Sequence, residues 1–340
     1  MSTKPKPSIN DVASRAGVST ATVSRALNEP DKVKPATLES VRNAIELLGY
    51  TPHFGGRALA SNKSNTIGAL IPTMDNAIFA RGLQALQETL AEAGVTLLIA
   101  TSGYDPEREM QQIQTLLGRG VDGLMLIGLS RPAKTYELLD RHGVPVVIAW
   151  NYKAGSDHIC VGFDNRAAAA ALADCVLEHG HERIAMIAGR APGNDRAADR
   201  IKGVRQALRR AGLKLAPDHL IEARYTLDDA AEAMAALLTL PDRPTAVICG
   251  NDVLAAGAIM HLKRVGLAVP RDVSVVGFDN IDLASVTEPP LTTVHVPHRR
   301  MGQTAAELLL AIGAGAKAVS SVKFEPELVI RASLGKPPLT

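Results

Sequence analysis

With 340 residues, 46% hydrophobic but only 3% aromatic, the chain is too long for one small domain, and its abundant Ala, Val, Leu and Ile suit buried parallel strands covered by helices. Its net charge of +2 is uneven: residues 1–64 carry nine Lys and Arg against five Asp and Glu, and the rest 28 against 30, so an anionic partner is expected for the N-terminal segment. Three widely spaced cysteines, a polar start and no long apolar run argue against a disulfide framework, an export signal and a membrane span, and lead to the expectation of a cytoplasmic protein.

Residues 1–7 read as a lead without structure. Ile9, Val12, Ala13 and Ala16 then recur at helical spacing, and Gly17 ends that helix where the chain needs positive φ. Ser19 is a good N-cap for a second helix, with Val23 and Leu27 facing inward. Pro35 suits the first turn of a third, with Leu38, Val41, Ile45 and Leu48 as its stripe and Gly49 as its end. Residues 51–64 lack core periodicity and read as a linker.

From Asn65 strands and helices alternate: TIGALIP, a helix over 79–93, VTLLIA, a helix over 107–117, VDGLMLIG, a helix over 134–142, and VPVVIAW. Repeated βα units imply a parallel sheet with right-handed crossovers. The pattern restarts at 183–189 (RIAMIAG) and continues through PTAVICGND and VSVVGFDN, so two similar halves with a cleft between them are expected. Ligands of such sheets bind beyond the C-terminal strand ends, where Trp150, Asn251, Asp252 and Asp279 fall.

Two helices joined at a glycine are the minimum of a helix-turn-helix. The second opens with small and hydroxyl residues, Ser19, Thr20, Ala21 and Thr22, and contains Arg25, which can make a bidentate contact to guanine. Periodicity alone fits an ordinary three-helix bundle equally well. The string DVASRAGVSTATVSRALN, Asp11 to Asn28, resembles the headpiece signature of the LacI family without a break. The likeness continues through NTIGALIP, DGLMLIG, VGFDN, GHERIAMIAG, GNDVLAAGAI, VPRDVSVVGFDN and PPLTTVHVP, so it covers nearly the whole chain.

The resemblance implies a sequence-specific transcriptional regulator, most readily a repressor. Its implied fold is an all-α headpiece (1–50), a hinge (51–64) and an α/β periplasmic-binding-protein-like core (65–340) of two Rossmann-like subdomains with parallel sheets. These would be 65–161 with 293–321, and 162–292 with 322–334. Thr20, Ala21 and Arg25 would read bases, within a DNA-contacting set that adds Ser19, Thr22, Ser24 and Asn28. Leu59 matches the hinge leucine that wedges into the minor groove. Gly55 and Gly56 stand where the family has better helix formers, each costing roughly 1 kcal/mol of helix propensity. A homodimer on a palindromic operator is implied, and the tail RASLGKPPLT has no leucine heptads for further assembly.

For the cleft, the resemblance carries over Ile78 and Phe79 as an apolar clamp, and Trp150 with Asn151 at a strand end. It adds Arg196 and Arg200 as cationic contacts, Tyr225 as a stacking ring, and Asn251 and Asp279 as hydrogen-bonding groups. Trp150 also reads as a core filler, Arg200 as a solvated helix residue, Asp279 as a loop-holding group, and Asp252 as an N-cap. The implied effector is a sugar or sugar acid; the texture, SGYDPEREM included, is similar to gluconate repressors. Cys175, His179 and His181 belong to the family's turn into a strand, so no metal is expected. No cofactor and no catalytic residues are expected either, since phosphate-loop, nucleophile-elbow and paired-carboxylate patterns are missing. A sugar-binding receptor without DNA activity is the competing reading, and an enzyme the third.

Overall fold

In the computed structural model, residues 7–51, 63–75, 77–316 and 318–338 are described, and the chain divides into two units, 1–64 and 65–340. The first contains α1 (Ile9–Ala16), α2 (Thr20–Asn28), a short 3-10 turn at Pro30–Lys32, and α3 (Pro35–Leu48). A reciprocal capping box between Ser8 and Asp11 starts α1, and Gly17 in the left-handed region ends it. Val12, Ala13, Val23, Ala26, Val41, Ala44 and Tyr50 form its core. Val23 is fully buried as expected, and Leu27 packs against the same core from its edge, partly buried, while Ala26 on the same face is enclosed.

The second unit holds two six-stranded sheets. One has the order β2-β1-β3-β4-β5-β11, with every pair parallel, from β1 (Thr66–Ile71), β2 (Thr96–Thr101), β3 (Gly123–Ile127), β4 (Val146–Ala149), β5 (Ile159–Gly162) and β11 (Val322–Lys323). The other runs β7-β6-β8-β9-β10-β12, from β6 (Ile184–Gly189), β7 (Leu220–Ala223), β8 (Ala246–Cys249), β9 (Ser274–Asp279), β10 (Thr292–His295) and β12 (Glu327–Val329). Here β12 pairs antiparallel on the edge, a departure from purely parallel sheets. Both orders carry the doubly wound pattern, whose ligands sit outside the carboxyl ends of the strands.

Helices α4 (Ala77–Glu92), α5 (Pro106–Gly118), α6 (Ala133–His142) and α12 (His298–Gly313) belong with the first sheet. With the second belong α7 (Asn165–Glu178), α8 (Asp195–Arg210), α9 (Leu227–Leu238), α10 (Asp252–Arg264) and the single turn α11 (Leu283–Val286). Glycines allow the closest helix contacts. A Cβ on Gly302 of α12 would overlap the Gly82 carbonyl of α4, and one on Gly203 of α8 would overlap the Arg166 carbonyl of α7. Among the described residues no helix is long and apolar enough to cross a membrane.

The chain crosses between the sheets three times, after β5, after β10 and after β11. The boundaries expected at 161/162, 292/293 and 321/322 therefore shift: β10 belongs to the second sheet, and β11 to the first. Each crossing segment continues straight out of a strand, so no change of residue texture marks it.

Candidate functional site

Helix α2 presents Thr20, Ala21, Arg25 and Asn28 to solvent while burying Val23 and Ala26. Its polar groups divide by task. Ser19 Oγ accepts the Thr22 amide at 3.2 Å and lies 2.9 Å from Thr22 Oγ1, so both hydroxyls are occupied in holding the helix start. Asn28 Nδ2 donates to Ser24 Oγ at 3.3 Å. Among the described residues Arg25 has no side-chain partner of this kind, and it is exposed, as a base-reading guanidinium must be. Leu59, Gly55 and Gly56 lie outside the described residues.

In the second unit a chamber of about 10 Å³ lies between the two sheets, lined by Ile78, Phe79, Tyr104, Trp150, Asn194, Arg196, Arg200, Tyr225, Asn251 and Asp279. Eight of the nine cleft residues expected from the sequence are there; Asn151 is not, because its amide is drawn to Asp195 at 2.6 Å. The Trp150 ring is 1% exposed and meets Phe79 edge-on, with centroids 5.7 Å apart. It fits because Gly82 has no side chain: a Cβ there would overlap the indole. Trp150 is thus both core filler and chamber wall.

Arg200 is fully committed. Its Nε donates to Asn165 Oδ1 at 3.0 Å and Nη1 to the Gly250 carbonyl at 2.6 Å, while Nη2 pairs with Asp279 Oδ1 at 3.4 Å. Its guanidinium carbon lies 3.7 Å from the centre of the Phe278 ring. Asn165 in turn donates to the Trp150 carbonyl at 3.0 Å, which ties the arginine to the opposite half. Asp279, 0% exposed, keeps Oδ2 unpartnered among the described residues, and Asn251 keeps Nδ2. The N-cap of α10 is Asn251, whose Oδ1 accepts the Leu254 amide at 2.9 Å, and not Asp252 as expected. Asp252 instead accepts Thr293 Oγ1 at 2.6 Å and the Ile281 amide at 2.8 Å; burial and the nearby Asp279 charge push its carboxyl up to about 7.

The two halves meet at a second polar contact. The Asp195 carboxylate at the start of α8 accepts the Leu129 amide and Asn151 Nδ2, both at 2.6 Å. Its other oxygen accepts Arg196 Nη1 at 2.7 Å. Burial opposes ionisation, but Arg196 and these donors hold the carboxyl below its usual value. Arg131, its side chain buried, braces the Leu129 loop by donating to the Ile127 carbonyl at 3.0 Å and forms an ion pair with Glu109 at 2.7 Å.

Backbone strain gathers at the same place. Tyr104 (φ 63°), Trp150 (φ 61°) and Asp279 (φ 103°) all line the chamber in the left-handed region. Such positions cost of order 1–3 kcal/mol each and persist where the surrounding structure over-determines them. Sequence reasoning missed Tyr104, Asn194, Asn165 and His298. Tyr104 carries a local signal, Ser102-Gly103 just beyond β2, whereas His298 is brought in by a crossing with no local mark.

A helix-turn-helix with an exposed arginine face, and two doubly wound halves enclosing a polar chamber, define a DNA-binding transcriptional regulator. Residues 8–53 match the model described as bacterial regulatory proteins, lacI family, and residues 173–334 match a periplasmic binding protein-like domain. The chain is 37% identical over 327 residues to the HTH-type transcriptional repressor CytR of Escherichia coli K12, covering 96% of this chain and 95% of that one. A LacI-family transcriptional regulator from Silicibacter pomeroyi superposes with a TM-score of 0.90 at 26% identity, covering 97% and 100% of the two chains. The lac repressor dimer, bound to operator and an anti-inducer, gives 0.84 at 25% identity over 98% and 100%. The chain belongs to the LacI family, whose members here are regulators and not enzymes.

Proposed function

We propose that this chain is a repressor that binds a palindromic operator as a homodimer, α2 lying in the major groove, and that a small effector in the chamber controls that affinity. Thr20, Ala21 and Arg25 read bases; Ser19 and Thr22 chiefly hold the helix; Leu59 acts from the hinge in the minor groove. The observation that carries effector control is the pair of buried, unpartnered polar atoms at the chamber, Asn251 Nδ2 and Asp279 Oδ2. Burying such groups without partners is costly, so a ligand that supplies them is rewarded.

Of a sugar and a sugar acid, an uncharged sugar-like ring is favoured. Arg200 already faces Asp279 and Arg196 faces Asp195, so among the described residues no uncommitted cation lines the chamber. Aromatic rings and the two free polar atoms suit a ring with hydroxyl groups. The chamber holds about one water-sized sphere, so binding must part the two halves; that displacement is what the hinges would sense, with inducer relief of repression as the direction.

An operator gel shift with and without ligand tests the reading, alongside calorimetry against neutral sugars, sugar acids and nucleobases. Specific binding that survives Arg25→Ala would refute the reading face. Tight binding of a sugar acid but not its neutral counterpart would refute the charge argument.

A further inference from the structure

An open vestibule of about 820 Å³ lies next to the chamber, walled by residues of both halves, among them Thr73 and Gly103 on one side and Arg190 and Glu222 on the other. The vestibule and the chamber share three wall residues: Tyr104, Asn194 and Tyr225. Tyr104 follows β2 and belongs to the first half; Tyr225 follows β7 and belongs to the second. Their rings face each other at 6.2 Å between centroids, tilted by 40°.

We propose that Tyr104 and Tyr225 are the two leaves of an aromatic gate that separates vestibule from chamber and decides what can reach Trp150, Asn251 and Asp279. Each leaf is held from its own side. Tyr225 Oη accepts Asn194 Nδ2 at 3.3 Å and rests over Gly189, where a Cβ would overlap it. Tyr104 takes φ 63° directly after Gly103 at φ 65°, a backbone that turns the loop in one tight step. Because the leaves belong to different halves, any opening of the cleft parts them, and the gate opens with the motion that enlarges the chamber. Ring area, not the Tyr104 hydroxyl, makes the seal.

Trp150 is the chain's single tryptophan and lies behind the gate, so acrylamide quenching of its fluorescence in the full chain reports access directly. Tyr104→Ala is expected to raise the quenching constant by about twofold or more, and Tyr104→Phe to leave it at the native level. Gly189→Ala, which pushes the other leaf aside through a side-chain end, is expected to raise it too. Native-level quenching in Tyr104→Ala overturns the gate, as does an equal rise in Tyr104→Phe; if Tyr104→Ala does not fold, native-level quenching in Gly189→Ala overturns it. The inference rests on the chamber being the effector site, yet the readout needs neither effector nor DNA. Gated quenching with no ligand found would sink the effector reading alone, whereas ungated quenching would sink the gate alone.

Discussion

The indole N–H of Trp150 donates to Nδ1 of His298 at 3.0 Å, across 148 residues of sequence, with the two rings stacked at 24°. Because tryptophan can only donate, the bond fixes His298 as the tautomer with its proton on Nε2. Burial lowers the His298 pKa from 6.5 to about 4, so the folded ring stays neutral where the unfolded one would charge.

That shift sets a pH dependence. Well above pH 6.5 the ring is neutral in both states and stability is at its full value. As pH falls toward 4 the unfolded state takes up a proton that the folded state refuses, and stability drops, by about 3 kcal/mol at full extent. Asp252, raised to about 7, acts oppositely over an overlapping range, since its folded form keeps a proton that the unfolded form has lost. The difference between wild type and His298→Gln therefore isolates the histidine. Urea unfolding at pH 7.5 and pH 5 should show the variant losing less on acidification; equal losses would refute the assignment.

Two helical glycines, one in the α4–α12 contact and one outside it, carry opposite predictions. Gly302→Ala drives a Cβ into the Gly82 backbone and should cost about 1–3 kcal/mol or more. Gly118→Ala, at the end of α5 with open space around it, should be neutral or stabilising by up to about 1 kcal/mol. Denaturant midpoints of the two variants compare them directly.

Asp195→Ala removes a charged acceptor from the Leu129 amide. A hydrogen bond to a charged group contributes about 1.5–3 kcal/mol, so Leu129 amide exchange should accelerate by roughly 10- to 150-fold. Exchange measured by NMR at unchanged rate would show that this contact does not hold the halves together.

In the headpiece, stability and recognition should separate. Ser19→Ala removes the cap of α2 and should cost about 1 kcal/mol, visible as earlier melting of the first unit. Arg25→Ala should leave that melting unchanged and abolish the preference for operator over random DNA.

Gly56→Ala should tighten operator binding by about fivefold if the hinge folds into a helix on DNA, since alanine is better by roughly 1 kcal/mol. Anisotropy titration at fixed salt measures this; unchanged affinity would argue against a helical hinge.

Much of this molecule was legible locally. Ser8, Ser19, Gly17 and Gly49 punctuate the first unit because capping and positive φ depend on residues a few positions apart. The βα alternation likewise set the parallel sheets, since period and apolar run length are short-range properties. The antiparallel β12 and the crossing points after β10 and β11 depended on distant partners.

The headpiece string and the strand texture by themselves determined the class of this protein: a DNA-binding headpiece followed by a two-halved periplasmic-binding-protein-like core. Which cleft residues are free to work was decided only by tertiary structure. Asn151 is spent on Asp195, Arg196 and Arg200 are neutralised by acids, and Tyr104 and His298 enter the site unannounced. The reason is physical: the availability of a polar side chain depends on which opposing group reaches it first, and here that group comes from the other sheet for Asn151, from a distant strand of the same half for Arg200, and from the neighbouring residue for Arg196.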